Sequence, residues 1–169
     1  MRELFFVSGV IASIAGLMVV VQTNAMHALI NLIVLLLAVA SVFYTLGAPF
    51  VAALQIVIYA GAIMVLFVFA VIILNLGRLA EERERDWMSS VLWLVPVLLA
   101  AVLLAQFVIT VSGREAALAR EVVGPKAVGI SLYTDYLIGV ELASLLLLAA
   151  LVAAYHLGWP LSRLERGHD

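Results

Sequence analysis

The sequence contains no cysteine, and only 12% of its 169 residues are charged. Without thiolates the chain forms no disulfide bonds and offers no cysteine ligands to an iron–sulfur cluster. Its 9 basic and 11 acidic residues give a net charge of -2, which provides no basic surface for nucleic acid. The glycine-rich dinucleotide motif, the phosphate loop and the H-E-x-x-H zinc motif are missing, so we expect no catalysis by this chain alone.

Apolar side chains are what the chain has in excess. Hydrophobic residues make up 66% of the sequence and the mean hydropathy is +1.23. In a soluble domain about half of the residues are apolar and about a quarter are charged. The composition therefore predicts an all-α integral membrane protein, and its length leaves no room for a separate soluble catalytic domain.

Five apolar runs predict five transmembrane helices within a single membrane domain that covers residues 1–169. We place the helices near residues 4–22, 27–46, 50–76, 88–111 and 131–157. The first run resembles a signal peptide at its start, but its apolar part is longer than the usual h-region, so we interpret it as a retained helix. Basic residues are slightly more numerous on the side of the membrane that holds the C-terminus than on the opposite side. This excess favours a cytoplasmic C-terminus.

The connections between the runs also carry predictions. Asn24 is a candidate N-cap for the second helix, and "LGAP" predicts a tight turn from Gly47 to Pro49. The charged stretch "GRLAEERERDW" (residues 77–87) is typical of a solvated connection that ends at the membrane interface. "REAALAREV" (residues 114–122) is compatible with a surface helix that stops at the following Gly-Pro.

Glu141 is the clearest ionisable residue at membrane depth. With a helix start near Ser131 it lies about 15 Å along the fifth helix, near the middle of a bilayer about 30 Å thick. A carboxyl group there carries a proton, pairs with a cation of a neighbouring chain, or stays neutral and hydrogen-bonded without proton traffic. Asp135 is closer to the helix start and is expected to be a solvated carboxylate favoured by the helix dipole.

The third run is interrupted by small residues. Tyr59 brings a phenol to membrane depth, while Ala60, Gly61 and Ala62 remove bulk from the middle of the run. Such a stretch favours either a π-bulge, which often marks a functional site, or a close contact between two helix backbones. The residues leave both interpretations open.

Three segments carry a resemblance to a known family: "LGAPFVAALQIVIYAGAIMVLFVFAVIILNLG" (residues 46–77), "TNAMHALINL" (residues 23–32) and "KAVGISLYTDYLIGVELASLLLLAALVAAYHLG" (residues 126–158). They resemble subunit J of proton-pumping NADH:quinone oxidoreductase, respiratory complex I, the family that includes mitochondrial subunit 6. The last segment is similar to the proteobacterial form. Gln55 stands where some relatives have glutamate, so any role of that carboxylate is lost here.

The resemblance implies a five-helix subunit of the membrane arm, near the junction with the quinone-reducing arm, in the bacterial inner membrane. It implies no cofactor bound by this chain, because FMN, the iron–sulfur clusters and quinone lie in or between other subunits. The implied partners are the lipid bilayer and other membrane-arm subunits: the quinone-site membrane subunit and the small and antiporter-like subunits.

The resemblance also implies a π-bulge around Tyr59 to Val65, and a conversion of that bulge to regular α-helix when the enzyme switches state. Rotation of the helix would move Met64, Val65 and Phe67 into or out of a hydrated path and so gate protons. Tyr59 and Glu141 are the candidate proton-path residues.

Two other functions compete with this interpretation. A self-contained transporter should show an internal repeat, and the five unequal runs show none. A purely structural scaffold subunit is the stronger alternative, and it predicts that changes at Tyr59, Gly61 and Glu141 act only through assembly.

Overall fold

The computed structural model describes residues 2–22, 25–73, 90–112 and 122–158. Within these ranges every regular element is a helix, which confirms the all-α prediction there. The helices are α1 (Arg2–Val21), α2 (Ala25–Thr45), α3 (Pro49–Ile73), α4 (Ser90–Ser112), α5 (Pro125–Tyr133) and α6 (Leu137–Gly158). Five predicted features lie outside the described residues: the Asn24 cap, the end of the third run at 74–76, the charged connection 77–87, the start of the fourth run at 88–89, and residues 114–121 of the predicted surface helix.

Four of these helices, α1, α2, α3 and α6, are long and apolar enough to cross a membrane. Helix α4 has 23 residues, but its described apolar part, Leu94–Ile109, is shorter than the length of a span. The structure thus gives four candidate spans where the sequence predicts five. The predicted and observed bounds of α1 to α4 otherwise agree to within about two residues over the described ranges.

The helices belong to two compact units, Met1–Gly124 and Pro125–Asp169. In the first unit α2 is the central helix, since it packs along α1 and also contacts α3 and α4. The core of this unit joins α1, α2 and α4 through small and branched side chains: Ile11, Ala15, Val34, Ala38 and Leu99. Small residues on α1 let the two backbones approach closely, as membrane helices without a hydrophobic driving force between them require.

Polar side chains cross-link the same three helices. The Gln106 Nε2 of α4 donates to the Ser8 Oγ of α1 at 2.7 Å and to the Leu4 main-chain oxygen at 2.8 Å. Ser8 Oγ in turn donates to Ser41 Oγ of α2 at 2.9 Å. Ser8 is fully buried. These bonds therefore give its hydroxyl the hydrogen-bond partners that it would otherwise lack in an apolar interior.

The connection between α2 and α3 is the predicted tight turn. Gly47 has a φ of 85°, a left-handed conformation in which glycine carries no steric penalty. Its amide donates to the Tyr44 oxygen at 3.1 Å, and its own oxygen accepts from the Val123 amide at 3.0 Å. Pro49 begins α3, where its missing N–H costs nothing.

The last predicted helix, near 131–157, is wrong at its start. Two helices occupy this region, and the turn Thr134–Tyr136 separates α5 from α6. Local hydrogen bonds explain the break, because Thr134 Oγ1 donates to the Ile130 oxygen at 2.8 Å and the Tyr136 amide donates to the Ser131 oxygen at 3.0 Å. Such bonds offer the backbone an alternative to a continuous helix. The spanning helix therefore begins at Leu137.

Candidate functional site

Helix α3 changes its hydrogen-bond register in the middle. Pro49–Leu54 is α-helical, Gln55–Ile63 is a π-helix of 9 residues, and Met64–Ile73 is α-helical again. At the end of the π-helix the Met64 amide donates a bifurcated hydrogen bond. Its acceptors are the Tyr59 oxygen, five residues back, and the Gly61 oxygen, three residues back. The predicted π-bulge is confirmed, and it is longer than the single turn in which π geometry usually occurs.

Gly61 has a specific place in this register. A Cβ added at Gly61 would lie 3.3 Å from the Ile56 oxygen, which is again five residues back along the same helix. That distance is tighter than nine in ten real Cβ contacts, so the Ile56 carbonyl would have to shift by a few tenths of an ångström to accept a side chain at this position.

The predicted gating residues divide between the two helical forms. Tyr59, Ala60, Gly61 and Ala62 lie in the π-helix, which begins at Gln55 rather than at Tyr59. The remaining three lie in the α-helical part that follows: Met64, Val65 and Phe67.

Their exposure also differs. Met64 is 1% exposed, whereas Val65 and Phe67 are 53% and 52% exposed. Tyr59 is 49% exposed. In the first turn after the π-helix, the side chain of Met64 therefore faces the interior of the chain, and those of Val65 and Phe67 face outwards.

An apolar groove of about 190 Å³ adjoins the π-helix. It is lined by side chains of α2 and α3: Ile33, Ala60, Met64, Val65, Val68, Phe69 and Ile72. Three of the predicted gating residues thus meet in one place, together with Ile33 of the neighbouring helix. A lining that is almost entirely apolar disfavours water, which is the property that a hydrophobic gate requires.

Glu141 lies elsewhere on its helix than the sequence suggested. It follows Leu137, the first residue of α6, by four positions, which corresponds to a rise of about 6 Å instead of about 15 Å. The longer estimate assumed a helix start near Ser131, whereas α6 begins at Leu137. Glu141 and Asp135 are both exposed, and Asp135 lies in the turn before α6, as expected for a residue at the helix start. Glu141 belongs to the second unit and Tyr59 to the first.

Sequence reasoning missed Gln106 as a structural residue. It interrupts the apolar run of α4, and a polar side chain at that depth usually has a partner on another helix, so the signal was present. His27 and Asn31 are four residues apart on α2, and Asn31 Nδ2 donates to the His27 oxygen at 2.9 Å. Among the described residues no group of three or more histidine, aspartate or glutamate side chains is placed to hold a metal ion.

Together these features define a class: a polytopic α-helical membrane protein with a π-helical segment inside one apolar helix. The model of the family NADH-ubiquinone/plastoquinone oxidoreductase chain 6 matches residues 15–157. The chain belongs to this family.

Similar proteins from proteobacteria support the assignment along almost the whole chain. NADH-quinone oxidoreductase subunit J of Pseudomonas aeruginosa is 52% identical over 162 residues, which cover 94% of this chain and 96% of the relative. The protein of the same name from Escherichia coli K12 is 47% identical over 159 residues, covering 94% and 86%. That of Buchnera aphidicola subsp. Schizaphis graminum is 39% identical over 159 residues, covering 94% and 98%. The resemblance to the proteobacterial form is confirmed.

Proposed function

We propose that this chain is a membrane-arm subunit of proton-translocating NADH:quinone oxidoreductase and that α3 is its switching element. The observation that carries the proposal is the π register of Gln55–Ile63, with the Met64 amide bonded to the Tyr59 oxygen. Membership in the family supports the assignment to the complex. The subunit itself performs no redox chemistry, because FMN, iron–sulfur clusters and quinone are held in or between other subunits.

The switch uses two hydrogen-bond registers of one helix. Conversion from π to α bonding rotates the residues on one side of the interruption relative to those on the other. Gly61 keeps the π register accessible, and the two registers need to differ by only a few kcal/mol for events elsewhere in the complex to shift their populations. Quinone reduction in the neighbouring arm supplies the bias in this scheme.

The gate acts through the side chains around the groove. In one register Met64 is buried while Val65 and Phe67 point outwards. Rotation exchanges these positions, so that bulky apolar groups enter or leave a hydrated path between the quinone region and the antiporter-like subunits. The phenol of Tyr59 lies within the switching segment and is the candidate proton-path group there.

The proposal includes five membrane crossings. Helix α4, with 23 residues, provides the additional crossing between α3 and the second unit. An odd number of crossings places the N-terminus and the C-terminus on opposite sides of the bacterial inner membrane, with the C-terminus in the cytoplasm. The partners are the quinone-site membrane subunit and the small and antiporter-like subunits.

The direct test is a high-resolution structure of the purified complex at rest and during turnover. In each state the donor and acceptor of every backbone hydrogen bond from Gln55 to Phe69 are identified. We expect the bond from the Met64 amide to move from the Tyr59 oxygen to the Ala60 oxygen as water continuity past the groove changes. A single register in every state, with unchanged water, would assign this chain a scaffold role.

A matched pair of variants tests the same idea functionally. Gly61→Val crowds the Ile56 carbonyl and shifts the helix towards the α register, while Ala53→Val adds similar bulk at an exposed position before the π-helix. We expect Gly61→Val to lower coupled proton translocation by about tenfold with near-normal assembly, as a bias of about 1.4 kcal/mol would. The control should retain both. Parallel loss of assembly and activity in Gly61→Val would favour the scaffold alternative.

A further inference from the structure

Asn31 is a polar residue that is enclosed within the first unit. It is 1% exposed, and the helices packed along α2 are α1, α3 and α4, all of which belong to that unit. Its Nδ2 donates to the His27 oxygen of the same helix at 2.9 Å, while its Oδ1 has no hydrogen-bond donor among the described residues. A buried oxygen without a donor is costly, so we expect a donor that is small enough to fit inside this unit.

Pro96 creates a second acceptor of the same kind in α4. This proline is buried and lies inside the helix rather than at its start. Because proline has no N–H, the main-chain oxygen of Leu92, four residues earlier, loses its helical donor. The proline ring also pushes against this oxygen and bends the helix, which makes room beside it. In membrane helices an oxygen freed in this way is satisfied by a neighbouring side chain or by an ordered water.

Helices α2 and α4 run in the same direction with a consistent register. Ser41 of α2 and Gln106 of α4 are joined through the Ser8 hydroxyl. Seven residues before each of them, Val34 and Leu99 lie in one apolar cluster. Since each residue of an α-helix adds the same rise, equal steps along the two helices reach equal levels.

The same register places the two acceptors together. Three residues before the level of the cluster it pairs Asn31 with Pro96. Val95, next to Pro96, still packs against the cluster, so α4 remains in contact with its neighbours here. The amide of Asn31 reaches back to His27, and His27 is level with Leu92. Asn31 Oδ1 and the Leu92 oxygen therefore lie at one level of the α2–α4 interface.

We propose that one water molecule is bound between α2 and α4, where it donates one hydrogen bond to Asn31 Oδ1 and the other to the Leu92 main-chain oxygen. Water fits this place because both groups are acceptors and a single water carries two donors. Two neutral oxygens are too few for a metal cation, which takes about six. The water is a second polar cross-link of α4, ten residues along the helix from the bond of Gln106.

The site is independent of the proposed switch. Asn31 and Ile33 are two residues apart on α2 and so lie on opposite sides of it, with the apolar groove on the side of α3 and the water on the side of α4. The water adds little net stability, because the cost of ordering it offsets much of what its bonds contribute. Asn31→Leu replaces the amide and the water together by apolar groups, so the free energy of unfolding does not report on this site.

A density map of the purified complex, at a resolution that shows ordered water, tests the site directly. We expect a water peak at about 2.8 Å from both Asn31 Oδ1 and the Leu92 oxygen. The lack of a peak there, in a map that shows other buried waters, would overturn the proposal. A side-chain N–H or O–H that donates to Asn31 Oδ1 in place of the water would also overturn it.

Matched variants test which groups hold the water. Asn31→Leu removes one acceptor, and Pro96→Ala returns a helical N–H to the Leu92 oxygen, so the peak should disappear from the maps of both variants. Ser41→Ala and Val97→Ala are the controls on the same two helices, because Ser41 is ten residues from Asn31 and Val97 is exposed next to Pro96. The peak should remain in both controls. A peak that is retained in Asn31→Leu, or lost from either control, would contradict the assigned acceptors.

The outcomes separate this proposal from the proposed function. The water peak in a complex whose α3 keeps one register in every state would support the water site and refute the switch. A register change in α3 without a water peak at Asn31 would do the opposite.

Discussion

At the scale of single residues, buried polar groups of this chain fall into two kinds. Ser8 takes part in bonds that join three helices, since it accepts from Gln106 and donates to Ser41. Asn31 is equally buried, but its Nδ2 bonds only to its own helix and its Oδ1 has no partner among the described residues. Burial alone therefore does not reveal which polar side chain stabilises the bundle.

Ser8→Ala should lower the free energy of unfolding by about 1 kcal/mol, because it removes the bond to Ser41 and the acceptor of Gln106. Ser13→Ala is the matched control. Ser13 is exposed on the same helix and its Oγ bonds only to the Gly9 oxygen, so we expect a change below about 0.5 kcal/mol. Unfolding of the purified chain by SDS in mixed micelles measures both. Equal effects of the two substitutions would mean that the cross-link contributes nothing.

Asn31→Leu should leave the free energy of unfolding unchanged or raise it slightly. The substitution conserves side-chain volume approximately and removes a buried acceptor that has no described donor. The same SDS titration measures the free energy of unfolding of this variant, and Ser8→Ala is the destabilised reference. A loss of more than about 1 kcal/mol would show that the Asn31 oxygen has a partner that the described residues do not supply.

At the scale of elements, the informative features are interruptions. The turn at Gly47 and the π register of Gln55–Ile63 both occur in α3 or at its start. "LGAP" made the turn predictable, because glycine and proline each restrict or permit known backbone conformations. Residue physics left the π-helix and plain helix packing as alternatives, since small residues serve both, and the resemblance favoured the π-helix. Its start at Gln55 was not anticipated.

Gly47→Ala should destabilise the chain by about 1 kcal/mol, because an L side chain is strained at a φ of 85°. Gly139→Ala is a suitable control. Gly139 lies inside α6 with nothing within 4 Å of an added Cβ, so alanine should stabilise this helix by about 0.5 kcal/mol. The melting temperatures of the two variants in detergent are compared. A shift in the same direction for both would contradict the left-handed conformation assigned to Gly47.

At the scale of the whole molecule, α4 decides the topology. Four helices of the described chain qualify as spans by length and apolarity, and the described apolar part of α4 falls short of that length. Its polar Gln106 is bonded to α1, so the helix is packed into the first unit alongside two candidate spans. This packing supports its inclusion as a fifth crossing.

Reporter fusions distinguish five crossings from four. A fluorescent protein that folds only in the cytoplasm, inserted in the connection between α3 and α4, should fluoresce, while an insertion in the connection between α4 and α5 should not. Alkaline phosphatase at the same two positions should give the reverse pattern. Signals from the same side of the membrane at both positions would remove α4 from the set of crossings, and the opposite pattern at the two positions would contradict the proposed orientation.

The sequence by itself determined the class of the protein, the number of apolar runs and the turn at Gly47. These follow from composition, run length and local backbone preferences, which need no distant contacts. Tertiary structure decided that Gln106 binds α1 and that Met64, but not Val65 or Phe67, is buried. It also decided how much of α3 is π-helical. The physical reason is that burial and interhelical bonding depend on which faces meet, and an almost uniformly apolar helix carries little pattern to specify its face.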